Sequence, residues 1–106
     1  MPTYRLTRQA DADLKAIYRY TRRTWGRAQA AHYASQLHQR CRMLADNPHT
    51  GIRRDALQPP SLHSVHSVVH GRHVIFYQPQ SYGVLIVRVL HSSQDVRRHL
   101  GRREEP

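Results

Sequence analysis

Residues 71–100 read GRHVIFYQPQSYGVLIVRVLHSSQDVRRHL. Two runs rich in branched and aromatic residues flank a turn at Pro79 to Gly83, the pattern of an antiparallel hairpin. The second run is apolar at both alternating sets of positions: Leu85, Val87 and Val89 against Val84, Ile86 and Leu90. A strand apolar on both faces belongs in the centre of a sheet. Beyond it, Ser92 or Ser93 supplies a cap for a short helix over residues 92–100. GRREEP, residues 101–106, reads as a frayed tail.

Upstream, LHSVHSVV from Leu62 also alternates with period two, predicting a strand that enters this hairpin through a tight turn at His70-Gly71. Residues 47–61 hold three of the six prolines and no sustained period, so a long loop is expected there. Leu57 would pin that loop to the core, with Arg53 and Arg54 exposed at its tip.

Before residue 47 the period is helical. Tyr4 and Leu6 share one face of a short strand, with Arg5 on the other, and Thr7 is placed to cap the helix that follows. Ala10, Leu14, Ile17, Tyr18, Thr21 and Trp25 make the apolar face of that helix, and Asp11 and Asp13 lie near its positive end. Gly26 ends it. A second helix over Arg27 to Asp46 buries Ala30, Ala34, Leu37, Cys41, Leu44 and Ala45, with Tyr33 beside them, and Asn47-Pro48 stops it. One glycine between two helices forces an antiparallel hairpin. Arg19, Arg22, Arg23, Arg27, Arg40 and Arg42 fall on the opposite faces and are expected in solvent. The predicted order is β-α-α-β-β-β: an α+β fold in which a twisted antiparallel sheet packs against an N-terminal helical hairpin. Residues 1–106 read as a single domain.

The composition narrows the function. Net charge is +10 with histidine neutral, and sixteen of the seventeen basic residues are arginine, Lys15 being the other. Such a surface attracts polyanions or acidic proteins, and arginine adds planar, bidentate grip on carboxylate or phosphate. No apolar run reaches the roughly 18–20 residues of a membrane span, and the first residues lack the form of a signal peptide. The cytoplasm is therefore the expected compartment. Cys41, the single cysteine, reads as a small buried filler.

His63, His66, His70 and His73 crowd together, but zinc needs three or four ligands converging at about 2.1 Å. Alternation along a strand points His63 and His66 to opposite faces, so no metal is expected. Nor is there a phosphate-binding glycine loop, a cofactor motif or a paired-carboxylate site, and no catalytic residue or cofactor is assigned. Arg88 stands out in an apolar strand, on the face of Val84, Ile86 and Leu90. A buried guanidinium needs acceptors, here Asp95 or a backbone carbonyl; the other reading is direct recognition of an anion. Arg72, His91, Arg97 and Arg98 are expected near the same end of the sheet. With Arg88 they form the candidate contact set for a target or a neutralising partner.

In YRLTRQADADLKAIYRYT, the turn from Trp25 to Ala30, LADNPHTGIRRD, GRHVIFYQ and VLIVRVLHSSQDVRRHL, the chain resembles toxins of the ParE/RelE superfamily, closest to the ParE branch. The resemblance covers nearly everything from Tyr4 to Leu100. It implies the toxin half of a type II toxin–antitoxin pair, neutralised by a ParD-like ribbon-helix-helix antitoxin in a hetero-oligomeric complex. It also implies DNA gyrase as target. The alternative is a ribosome-dependent mRNA endonuclease of the RelE type, which places a tyrosine in the terminal segment. This chain has no tyrosine after Tyr82, which favours inhibition by binding over catalysis.

Overall fold

The computed structural model describes residues 1–54 and 64–93. Its elements are β1 (Thr3–Leu6), α1 (Arg8–Trp25), α2 (Arg27–Asp46), β2 (Ile52–Arg53), β3 (His66–His70), β4 (His73–Gln80) and β5 (Gly83–His91). The mixed α+β architecture is the expected one. The terminal helix expected over 92–100, the tail, Leu57, His63 and Asp95 lie outside the described residues.

Local chemistry sets the helix limits. Thr7 Oγ1 accepts the Ala10 N–H at 3.0 Å, capping α1. Gly26 has φ 92° and ψ 168°, a conformation costly for any residue with a Cβ. Its N–H closes α1 on Arg22 O, while its carbonyl accepts the first α2 bond from Ala30. The two helices are therefore hinged on one residue.

The sheet runs β1-β5-β4-β3-β2. Strands β2 to β5 are antiparallel neighbours, but β1 joins β5 in parallel, with Thr3 opposite Gly83 and Leu6 opposite Ile86. Strand β5 is interior as expected, although the middle position belongs to β4. Several boundaries differ from expectation. The long loop contributes the two-residue strand β2, β3 begins at His66, its tight turn is Gly71-Arg72, and Pro79 lies inside β4 opposite Val84.

The alternation along β5 breaks at one point. Phe76 pairs with Arg88 and Tyr77 with Ile86, so Val87 is an extra residue. Such a bulge shifts the faces of everything after it. Val84, Ile86 and Val89 consequently share the main core with Leu37, Cys41, Leu44, Ile75 and Tyr77 under the helices. Val87 and Leu90 join Val65 and Phe76 in a second cluster. The expected grouping of Val84, Ile86, Arg88 and Leu90 on one face is corrected by this bulge. Full burial of each large side chain contributes about 1.5–3 kcal/mol, so both clusters matter to stability.

Tyr77 also organises the loop above the sheet. Its hydroxyl donates to Pro48 O at 2.8 Å and accepts the Gly51 N–H at 2.8 Å. His66 stacks on the Tyr77 ring and bonds Ser64 O through Nδ1. It is buried.

Candidate functional site

A groove of about 680 Å³ opens between the outer half of α1, the start of α2 and the β3–β4 turn. Tyr20 and Trp25 form its helical wall. Tyr33 and His73 lie deeper, and Arg72 and His91 line the sheet side. The apolar stripe of α1 explains this shape. Ala10, Leu14 and Ile17 pack into the core, while the last aromatic residues of the helix are left uncovered. Trp25, expected inside, is 67% exposed, and Tyr20 is 60% exposed.

Tyr33 secures the groove floor. Its hydroxyl donates to His70 O at 3.2 Å and lies 2.6 Å from His73 Nδ1. One hydroxyl proton cannot serve both: when it goes to His70 O, His73 donates from Nδ1 to the tyrosine oxygen, and when it goes to His73, Nδ1 is the acceptor. Burial, helped by neighbouring His91 and His70, lowers the His73 pKa to about 4. The floor is thus polar but neutral at pH 7. Burial likewise raises the Tyr33 pKa. His91 meets His73 edge-on at 5.5 Å and bonds Ser93 Oγ through Nδ1, while Ser92 N–H donates to Arg72 O. These contacts bring Arg72 and His91 together, as expected.

Arg88 does not join them as a free contact. Its Nε and one terminal nitrogen donate to Asp13 at 2.8 and 2.9 Å, and the same carboxylate accepts the Val89 N–H at 2.9 Å. Asp13 of α1 is thus a partner that the sequence reading did not give, while Asp95 lies outside the described residues. Strand β1 ends at Leu6, and beyond it Thr7 covers Ile86 O and Val87 O while Asp13 covers Val89 N–H. Arg40 is another correction. It is half-buried, and its Nε has no partner among the described residues. Arg97 and Arg98 lie outside those residues. No cluster of metal-ligating side chains occurs among the described residues.

Sequence reasoning missed Tyr20, Trp25, Tyr33 and His73 as groove residues. Of these only Trp25 lay on the apolar stripe read for α1, as its last residue.

The family described as "ParE toxin of type II toxin-antitoxin system, parDE" matches residues 4–96. The chain belongs to this family of type II toxin–antitoxin toxins. It is 40% identical over 101 residues to Toxin ParE1 of Caulobacter vibrioides, covering 95% of this chain and 100% of that protein. It is 35% identical over 105 residues to Toxin ParE of Escherichia coli, with 97% of each covered. A solved structure titled "Chromosomal ParDE TA system from P. aeruginosa" superposes with a TM-score of 0.66, covering 86% of this chain and 96% of that one. At 19% identity this last likeness concerns the fold. The ParE match spans both helices and all five strands, so the groove is part of the family's own domain and not an appendage to it.

Proposed function

We propose that this chain is a growth-arresting toxin held inactive by a ParD-like ribbon-helix-helix antitoxin, and that it acts by binding DNA gyrase without catalysing a reaction. The family match over residues 4–96 carries the reading. The net charge of +10 supports capture by an acidic partner. The state of Arg88 supports binding over catalysis. A ribonuclease needs cations to stabilise a phosphorane, and this guanidinium is occupied by Asp13 on two nitrogens. Arg72, His91, Arg97 and Arg98 remain the proposed contacts to target or antitoxin. Among the described residues no helix is long and apolar enough to cross a membrane. That fits the cytoplasmic site of action that gyrase requires.

A supercoiling assay tests this directly. Purified chain should inhibit gyrase and accumulate cleaved DNA, and co-purified antitoxin should restore supercoiling. Unimpaired gyrase at saturating chain, together with cuts at codon positions in translated messages, would transfer the function to the ribonuclease reading.

A further inference from the structure

Among the described residues, nothing accepts a hydrogen bond from Arg40 and no carboxylate pairs with it. The side chain is half-buried on α2, and its Nε is closed off from solvent. Arg88 is the contrast, because Asp13 fills two of its nitrogens. Asp11 is committed to Lys15, and Asp46, at the end of α2, pairs with neither arginine. A guanidinium drawn out of water without a counter-ion is costly, and an anion supplied from outside would relieve that cost.

The facing strand carries a second unfilled group. His66, Val68 and His70 alternate onto the helix-facing side of β3, where Val68 packs on the core. The His70 ring meets the Tyr33 ring of α2 at 5.8 Å. Tyr33 and Arg40, seven positions apart, share that face of α2. Burial first, and then the charge of Arg40, lower the His70 pKa, and the same charge reaches Tyr77. The His70 ring makes no hydrogen bond among the described residues. Neighbouring hydroxyls are already used, Tyr33 on His70 O and His73 Nδ1, Tyr77 on Pro48 O and Gly51 N–H. His73, opposite His70 on β4, is neutral at pH 7.

We infer that Arg40 and His70 bind a phosphate group at the seam between α2 and β3. A planar carboxylate meets one edge of one guanidinium, as Asp13 does on Arg88. The free donors at the seam come from two elements, and a tetrahedral phosphate can turn oxygens toward both. The net charge of +10 draws phosphates to the surface. A nucleic-acid backbone and free phosphate share this chemistry. The site does not rest on gyrase as the target.

The His70 imidazole reports occupancy. Its proton NMR resonance, identified by its loss in His70→Gln, is followed against pH at constant ionic strength. Inorganic phosphate should raise the titration midpoint saturably, because an anion beside imidazole favours its charged form, and acetate should not. Arg40→Gln, checked for unchanged circular dichroism, should weaken phosphate binding by about tenfold or more. Arg19→Gln removes the same charge from an exposed helix position and should leave binding intact. If the glutamine variant does not fold, Arg40→Lys keeps the charge, loses the planar fork and should still bind several-fold more weakly. A short DNA duplex at the same phosphate concentration separates the sources. A midpoint rise that the duplex gives and Arg40→Gln abolishes assigns a backbone phosphate; a rise with inorganic phosphate alone assigns a free one. A midpoint indifferent to both, equal movement with acetate, or equal losses in the Arg40 and Arg19 variants would overturn the inference.

Discussion

Asp13 and Arg88, seventy-five positions apart in the chain, are joined by two hydrogen bonds of 2.8 and 2.9 Å. Their side chains are only 14% and 13% exposed. The pair fixes α1 to β5 where β1 no longer covers that edge, and the Val89 N–H draws on the same carboxylate. Arg88 is therefore a structural cation first.

Removing the carboxylate should cost more than removing one ordinary contact. Asp13→Ala leaves a largely buried guanidinium and a strand N–H without their acceptor, an expected loss of about 3 kcal/mol. Asp13→Asn keeps an acceptor for Val89 N–H and should lose less. Chemical denaturation of the two variants checks the order, and equal losses would contradict the double role of Asp13.

His73 makes stability depend on pH. Its pKa falls from the ordinary 6.5 to about 4 in the folded chain, chiefly through burial. Between those values the unfolded chain binds more protons, so stability rises with pH across that window. The contribution is complete above about pH 6.5 and is lost as pH falls toward 4. Allowing for the partial exposure of the ring, on the order of 1–2 kcal/mol is at stake. Thermal melts from pH 7 to 4 should show the decline, and His73→Gln should flatten it.

Cys41 should be chemically silent in the native chain. It is fully buried, and burial pushes its thiol pKa up to about 12. The thiolate that reacts with alkylating reagents is thus scarce as well as inaccessible. Iodoacetamide should label it only after denaturation; rapid labelling of native protein would mean that α2 lifts off the sheet.

Gly83 should tolerate no side chain. It has φ 141°, and a Cβ there would meet Thr3 O at 1.9 Å, inside the β1–β5 pairing. Gly83→Ala is expected to cost about 3 kcal/mol or more through clash and backbone strain together. Gly26→Ala shares the positive φ but faces open space, so strain alone should apply, about 1–3 kcal/mol. Comparing the two melting temperatures separates the effects.

Much of this architecture was legible because its signals are local. Thr7, Gly26 and Asn47-Pro48 mark the helix ends within a few residues, and the inner stripe of α2 follows directly from the 3.6 period. What escaped is set by distant partners. The bulge at Val87 depends on how β5 meets β4, and no residue type announces it. The parallel neighbour of β1 lies about eighty residues away, and β2 is too short to carry a period. The site divides in the same way. Arg72 and His91 were expected near one sheet end, but the aromatic wall was not. A stripe on a helix looks the same whether or not anything in the fold covers its final turn.

The parallel pairing of Thr3–Leu6 with Gly83–Ile86 has a consequence for how the molecule is made. The first strand leaves the ribosome early but has no neighbour until the last strand has been synthesised. At about 5–20 residues per second, that interval is roughly 4–17 s. Until then the underside of α1, including Leu14 and Ile17, lacks the strand it will cover. Among the described strands β5 is the one that closes the sheet, so a nascent chain cannot hold this surface until translation has passed His91.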